Sequence, residues 1–255
     1  MTAVLETQAL SVAIGDTTVC RELDLQLRQG ERWCILGRNG TGKTTLLHTL
    51  AGLRPAAAGR IRLSGRLLDQ LPGRTLARRL GILFQDHQDS FPATVLETAL
   101  TGRHPWLGLM QWEGPTDLAL ARAALQRVAL DDLEARNVTT LSGGERRRLG
   151  IATLLTQDPE LMLLDEPTNH LDIHYRIRVL DLLRELSSGH GKTLLLVMHD
   201  VNLALRYCNR FLLLFGNGAH CSGTAAVIDR ANLERLYDHP LQCLQGAGSP
   251  VWIPR

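Results

Sequence analysis

The 255-residue chain is expected to fold as an α/β protein: a mostly parallel sheet with helices, an N-terminal antiparallel β portion and an inserted α-helical subdomain. Three observations predict this. Short apolar runs without alternation, at residues 33–36, 161–164, 193–198 and 211–215, have the length and content of strands buried on both faces. A stretch of helical apolar spacing, 172–186, lies among them, which is the rhythm of a layered α/β core. Between residues 86 and 159 the strand signals disappear and helical spacing takes over.

Along the chain, residues 4–27 alternate loosely between turn signals at Gly15-Asp16 and Gln29-Gly30, as short antiparallel strands do. The run 33–36 ends in a glycine-rich loop, 37–42, and helical spacing follows over 44–53 until Pro55 and Gly59 close it. Residues 61–68 around Gly65 read as a short strand pair, and 82–84 as a strand ending at Gln85. Within the insertion, 118–128 and 145–155 carry helical spacing. From residue 225 the chain reads as a short helix with an irregular end. This divides a single domain into a core (1–85 and 160–224, with its antiparallel portion), a helical subdomain (86–159) and a tail (225–255).

Composition narrows the function classes. Hydrophobic residues are 44% and charged residues 21%, which sets aside disorder and collagen-like repeats. Lys plus Arg is 28 against 26 for Asp plus Glu, a net charge of +2 that is too small for a nucleic-acid footprint. Bound anions must therefore be held by local geometry. No apolar run approaches the roughly 20 residues of a membrane-spanning helix. The opening MTAVLETQAL lacks the basic and then apolar stretches of a signal peptide, which implies a cytoplasmic protein. The five cysteines are odd in number and without CxxC spacing, so they read as buried or bystander thiols.

Gly37-Arg38-Asn39-Gly40-Thr41-Gly42-Lys43-Thr44 fits the phosphate-binding pattern G-x-x-x-x-G-K-[ST] in its strand–loop–helix setting. Glycines let backbone N–H groups converge on phosphate oxygens, the helix N-terminus adds partial positive charge, and Lys43 adds a full one. Thr44 is placed to hold Mg²⁺ through its hydroxyl, and Thr45 continues the nucleotide-binding set. This predicts a P-loop NTPase core binding ATP or GTP. Such a site needs a carboxylate at a neighbouring strand end, and Asp165-Glu166 after 161–164 supplies two. Asp165 is assigned to the Mg²⁺ shell. Glu166, before Pro167, would polarise the water that attacks the γ-phosphate. Alternation along a strand would send the two side chains to opposite faces unless the strand ends there.

With Leu141-Ser142-Gly143-Gly144-Glu145 ahead of Asp165-Glu166, the order of motifs resembles the ATP-binding cassette of ABC transporters over nearly the whole chain. LSGGE read by itself is also a helix N-cap with a capping box. The resemblance implies that Ser142, Gly143 and Gly144 grip, in trans, the γ-phosphate bound to the P-loop of a second copy. It implies a homodimer enclosing two ATP molecules. It places Gln85 at the position that contacts Mg²⁺ and the attacking water, and His199 at the γ-phosphate switch. Asn169-His170-Leu171-Asp172 matches the loop that crosses the dimer interface. Ile14 stands where the family usually stacks an aromatic on adenine, so weak base discrimination is expected. Arg146, Arg147 and Arg148 are expected mostly on a solvated helix face, with one or two near the nucleotide or the neighbouring subunit. Trp106, Trp112 and the Phe91-Pro92 turn lie where the family docks its membrane partner, and local packing explains them equally well.

Thr168-Asn169-His170-Leu171-Asp172-Ile173 and Leu100-Thr101-Gly102-Arg103-His104-Pro105-Trp106 are similar to importers of iron-siderophore complexes, haem or cobalamin. That resemblance implies integral-membrane permease subunits as partners, a periplasmic or extracellular substrate-binding protein acting indirectly, peripheral attachment at the cytoplasmic face of the cell membrane, and no nucleic-acid partner. The alternatives are a soluble cassette ATPase acting on ribosomes or DNA, and the cassette of an exporter. The ribosome-acting kind carries two cassettes per chain; this chain has one P-loop and one LSGGE.

Overall fold

The computed structural model describes residues 3–85, 92–244 and 250–255. In chain order the strands and helices are β1 (Ala3–Ile14), β2 (Thr17–Arg28), β3 (Arg32–Gly37), α1 (Lys43–Leu50), β4 (Ala58–Leu63), β5 (Arg66–Leu67), α2 (Gly73–Arg79) and β6 (Leu80–Leu83). The helical segment holds α3 (Val95–Leu100), α4 (Pro115–Arg127) and α5 (Gly143–Gln157). Then come β7 (Leu161–Asp165), α6 (Ile173–His190), β8 (Thr193–Val197), α7 (Val201–Tyr207), β9 (Arg210–Gly216), β10 (Ala219–Gly223), α8 (Arg230–Tyr237), β11 (Leu241–Leu244) and β12 (Val251–Pro254).

A six-stranded sheet runs β10-β9-β3-β8-β7-β6, parallel throughout except for the edge strand β10. Its apolar runs do not alternate because both faces are covered. In β3, Cys34 and Leu36 enter one core cluster while Trp33 and Ile35 enter the other. Leu194/Leu196 and Leu195/Val197 of β8 divide in the same way, as do Met162/Leu164 and Leu161/Leu163 of β7, following the period-2 geometry of a strand.

The second cluster is closed by a four-stranded antiparallel sheet, β2-β1-β4-β5, with Leu46, Leu47 and Leu50 of α1 between the sheets. The β1–β2 register shifts between Thr7 and Leu10. There Ala9 adopts φ 46°, and its N–H donates to Asp24 Oδ1 at 2.7 Å, a bulge whose freed amide is satisfied by a side chain. The first cluster is closed by the helical segment, where Val95, Ala99, Ala121, Leu125, Ile151 and Ala152 are fully buried. Among the described residues of that segment β pairing is limited to the bridge Thr94–Asn137. No helix among the described residues is long and apolar enough to cross a membrane.

Two expectations about elements change. Helix α1 stops at Leu50 instead of Leu53, with Gly52 at φ 74° just beyond it. The tail is not an irregular end. After α8 the chain forms a β hairpin, Leu241 pairing with Pro254 and Leu244 with Val251, which short, mixed sequence did not betray. All three parallel strands that matter chemically, β3, β7 and β8, deliver their carboxyl ends to one edge, where α/β sheets hold ligands.

Candidate active site

The loop after β3 is shaped by contacts that forbid side chains. Gly42 has φ 88°, and a Cβ there would lie 2.4 Å from Val19 Cγ2, so the helix N-cap is glycine for two independent reasons. Gly37 is equally confined, since a Cβ would meet Leu214 O at 2.9 Å. The Thr41 hydroxyl donates to Arg38 O at 2.9 Å. Lys43, buried, folds back and donates from Nζ to Gly37 O at 2.8 Å and Arg38 O at 2.9 Å. Burial pushes its pKa down, and the carboxylates of Glu166 and Asp165 push it back up. Arg38, Asn39 and Gly40 are exposed, Thr41, Gly42 and Thr44 half-buried, and Thr45 buried.

Asp165 ends β7 fully buried. Burial raises its pKa, and the nearby Thr44 hydroxyl opposes the rise. Yet neither carboxylate oxygen has a partner of hydrogen-bond geometry among the described residues. A buried carboxylate whose oxygens lack well-formed hydrogen bonds is costly, and a hard divalent cation beside Thr44 would relieve it. The residues present therefore fit Mg²⁺.

The chain leaves the extended conformation at Glu166, φ 51°, so the alternation that would separate the two carboxylates does not apply. A left-handed non-glycine residue costs on the order of 1 kcal/mol. Glu166 is only 8% exposed. Its Oε1 meets His199 Nε2 at 2.5 Å, and its Oε2 accepts from the Asn169 amide. Lys43, Thr44, Asp165, Glu166 and His199 thus gather at the ends of β3, β7 and β8.

Other expected residues stand apart. Gln85 is exposed and lines a cavity of about 170 Å³ with Gly143, Arg147 and His170. No hydrogen bond links its side chain to Thr44, Asp165 or Glu166 among the described residues. Ser142 caps α5: its hydroxyl accepts from Glu145 N at 3.2 Å, and Glu145 Oε2 accepts from Ser142 N at 2.7 Å. Ser142, Gly143 and Gly144 line a second cavity, about 430 Å³, with His170, Asp172 and Tyr175. Neither cavity has a P-loop residue in its wall. Ile14 is 42% exposed and pairs with Thr17 at the hairpin end, on the same hairpin whose Val19 touches the P-loop.

The arginines after the signature correct the sequence reading. Arg147 and Arg148 are buried. Arg147 donates to the carbonyls of Phe84, Gln85 and Asp165. Arg148 donates to Val128 O at 2.8 Å and Ala129 O at 2.5 Å, just past α4, and lies 4.0 Å from the Tyr175 ring centroid. Arg146 donates to Leu141 O at 3.1 Å and Thr139 O at 2.9 Å. Successive helical residues diverge by about 100°, so three in a row cannot share one solvated face. That periodicity was the available signal. The bonds of Glu166 with Asn169 had no sequence signal, because a loop amide finds its partner only through the fold.

Trp106 packs locally, its indole N–H donating to Gln157 O at 2.8 Å between Arg78 and Arg103. Trp112 is 86% exposed beside Leu109 and Met110. Phe91 lies outside the described residues.

The family model described as ABC transporter matches residues 20–169. The probable siderophore transport system ATP-binding protein YusV of Bacillus subtilis (strain 168) is 35% identical over 99% of this chain and 93% of its own length. The ferric enterobactin transport ATP-binding protein FepC of Escherichia coli (strain K12) is 36% identical over 99% of this chain and 94% of its own. A chain from a solved structure described as an inward-facing conformation of a putative metal-chelate type ABC transporter superposes with TM-score 0.86 at 27% identity, covering 100% of this chain and 98% of the other. With the phosphate loop, the paired carboxylates and the signature helix all present, the chain belongs to the ABC transporter family and is an ATPase of its cassette type.

Proposed function

We propose that this chain is the ATP-hydrolysing subunit of an importer of metal chelates, such as a ferric siderophore, haem or cobalamin. In this reading it works as a homodimer beneath integral-membrane permease subunits at the cytoplasmic face, served indirectly by an external substrate-binding protein. The likeness to siderophore and enterobactin cassettes along nearly the full length supports the cargo class. The absence of P-loop residues from either signature cavity supports a site completed by a second copy, and that observation carries the mechanism.

In the mechanism, Lys43 and the P-loop amides bind the β- and γ-phosphates of ATP. Thr44, Asp165 and Gln85 would hold Mg²⁺. A Mg²⁺ ion held there would supply charge neutralisation at the phosphates. Glu166, aligned by His199 at 2.5 Å, accepts the proton of the attacking water, and His199 then faces the γ-phosphate. Ser142, Gly143 and Gly144 of the second copy bind that phosphate from the other side. Loss of those contacts on hydrolysis reopens the dimer, because a ligand shifts an equilibrium only through its differential affinity for the two states.

Glu166→Gln tests this reading. The variant should bind Mg-ATP, lose about 10²- to 10⁴-fold in turnover and accumulate as an ATP-dependent dimer by light scattering. A variant that stays monomeric with ATP overturns the sandwich. Recovery of a many-span permease on purification of the tagged chain from gently solubilised membranes supports transport; recovery with ribosomes instead overturns it.

A further inference from the structure

The segment after β10, which the family model does not reach, touches the active site at two places and helix α7 beside it at a third. His199 lies between two anchored neighbours. The N–H of Met198 donates to Ile35 O at 3.3 Å. Asp200 Oδ1 caps α7 through Asn202 N at 2.8 Å and Leu203 N at 3.0 Å. The carbonyl of His199 itself accepts from the Tyr237 hydroxyl at 3.3 Å. Its imidazole is 43% exposed and bonded to Glu166, so the aim of the ring depends on where the backbone is held.

Two further contacts fix that hold. Asn202, in the first turn of α7, grips the hairpin by both ends of its amide: Nδ2 donates to Trp252 O at 3.0 Å, and Oδ1 accepts from Trp252 N at 2.8 Å. Asp238, next to Tyr237, pairs with Arg38 of the P-loop at 3.1 Å. Asp238 adopts φ 53°, which turns the chain so that adjacent residues reach different parts of the site. The Arg38–Asp238 pair is exposed and contributes little alone; its value is that it ties the same turn to the phosphate loop.

We propose that α8 and the β11–β12 hairpin brace the hydrolytic switch, with Tyr237 a positioning residue that acts through His199. The proposal rests on the reading of His199 as the residue that aligns Glu166 and faces the γ-phosphate. Tyr237 contacts the switch backbone, while the separate Arg38–Asp238 pair reaches the phosphate loop, so the Tyr237 contact governs turnover and leaves nucleotide affinity alone.

The test is a double-mutant cycle in the full-length chain, read by single-turnover hydrolysis of radiolabelled Mg-ATP so that slow backgrounds are measurable. Tyr237→Phe removes one oxygen. It should lower kcat about three- to tenfold, the scale of one lost hydrogen bond, with KM for ATP unchanged. In a His199→Ala background the same change should have no effect. Asn202→Ala, which loosens the hairpin clamp, should behave likewise and keeps the test open should Tyr237→Phe fold poorly. Equal factors in both backgrounds, a change in KM with kcat unchanged, or no change at all overturns the brace. Wild-type turnover by His199→Ala alone overturns the switch assignment on which the brace rests, and that outcome is distinct from the others.

Discussion

Helices α1 and α5 both begin at glycine-rich turns, and both are suited to bind phosphate, but they are prepared for it differently. At α1 the cap is Gly42, with no side chain to offer the first N–H groups, so the helix end is left open. At α5 Ser142 and Glu145 form a reciprocal capping box, and the same kind of N–H group is already partnered. A helix leaves its first four N–H groups without intrahelical partners, so an open end favours an incoming anion and a capped end must exchange one partner for another. This difference fits the proposed mechanism, in which the P-loop binds nucleotide within one chain and the signature engages phosphate brought by a second copy.

The most damaging way to test the open end is Lys43→Ala. It removes the buried ammonium that bridges Gly37 O and Arg38 O and leaves both carbonyls without that donor. ATP binding and turnover should fall about a hundredfold or more, measured by nucleotide titration and phosphate release. Retained wild-type turnover would falsify the phosphate role of the loop.

The capped end is tested by mixing. Ser142→Ala chains and Lys43→Ala chains should each be nearly inactive alone. In a heterodimer, one composite site pairs the two defects and the other is wholly intact. Equimolar mixing should therefore restore roughly a quarter of wild-type turnover, half the dimers being mixed with one working site each. Sites that operate in cis would show no recovery. Ser142→Ala should also cost about 1 kcal/mol of stability through the lost cap, seen as a lower Tm without nucleotide.

Much of this contrast was legible in the sequence. Motifs with fixed spacing place their own residues, since Gly42 and Lys43 or Ser142 and Glu145 are neighbours on the chain and their geometry is local. The parallel core was legible because strands buried on both faces write unbroken apolar runs. What could not be read depends on long-range partners. Arg147 resembles a surface arginine until Phe84, Gln85 and Asp165 are brought beneath it, and Tyr237 meets His199 only once the tail folds back. The hairpin β11–β12 was missed because two four-residue strands carry too few positions for periodicity to register.

Asp165 sharpens the comparison energetically, because the open site holds a buried carboxylate that the capped site lacks. Burial raises its folded pKa above the ordinary 3.8. Below 3.8 the group is protonated in both folded and unfolded states and contributes nothing. As pH rises through the raised folded value the unfolded chain ionises more readily, so stability is lost and stays lost above it. Asp165→Asn should consequently raise the Tm of the nucleotide-free, Mg²⁺-free protein by on the order of a few degrees at neutral pH, with the gain shrinking as pH falls towards 4. The same variant should lose Mg²⁺-dependent turnover. A lower Tm at neutral pH would mean that the carboxylate has partners in solution.

The smallest effect concerns the base. Both helix ends would address phosphates, which ATP and GTP share, so base discrimination is expected from elsewhere on the open side. Ile14, 42% exposed at the end of the β1–β2 hairpin, stands on the hairpin that packs Val19 against Gly42. An aliphatic side chain offers a base contact area but no π face, and contact area alone separates adenine from guanine poorly. ATP and GTP should therefore support turnover with kcat/KM values within a few-fold of each other. Ile14→Tyr should tighten both by about two- to tenfold, the scale of an added ring–ring contact, without altering kcat. A strong preference for ATP in the wild-type chain would place base recognition on residues other than Ile14, and the open helix end would then be selective by more than its phosphates.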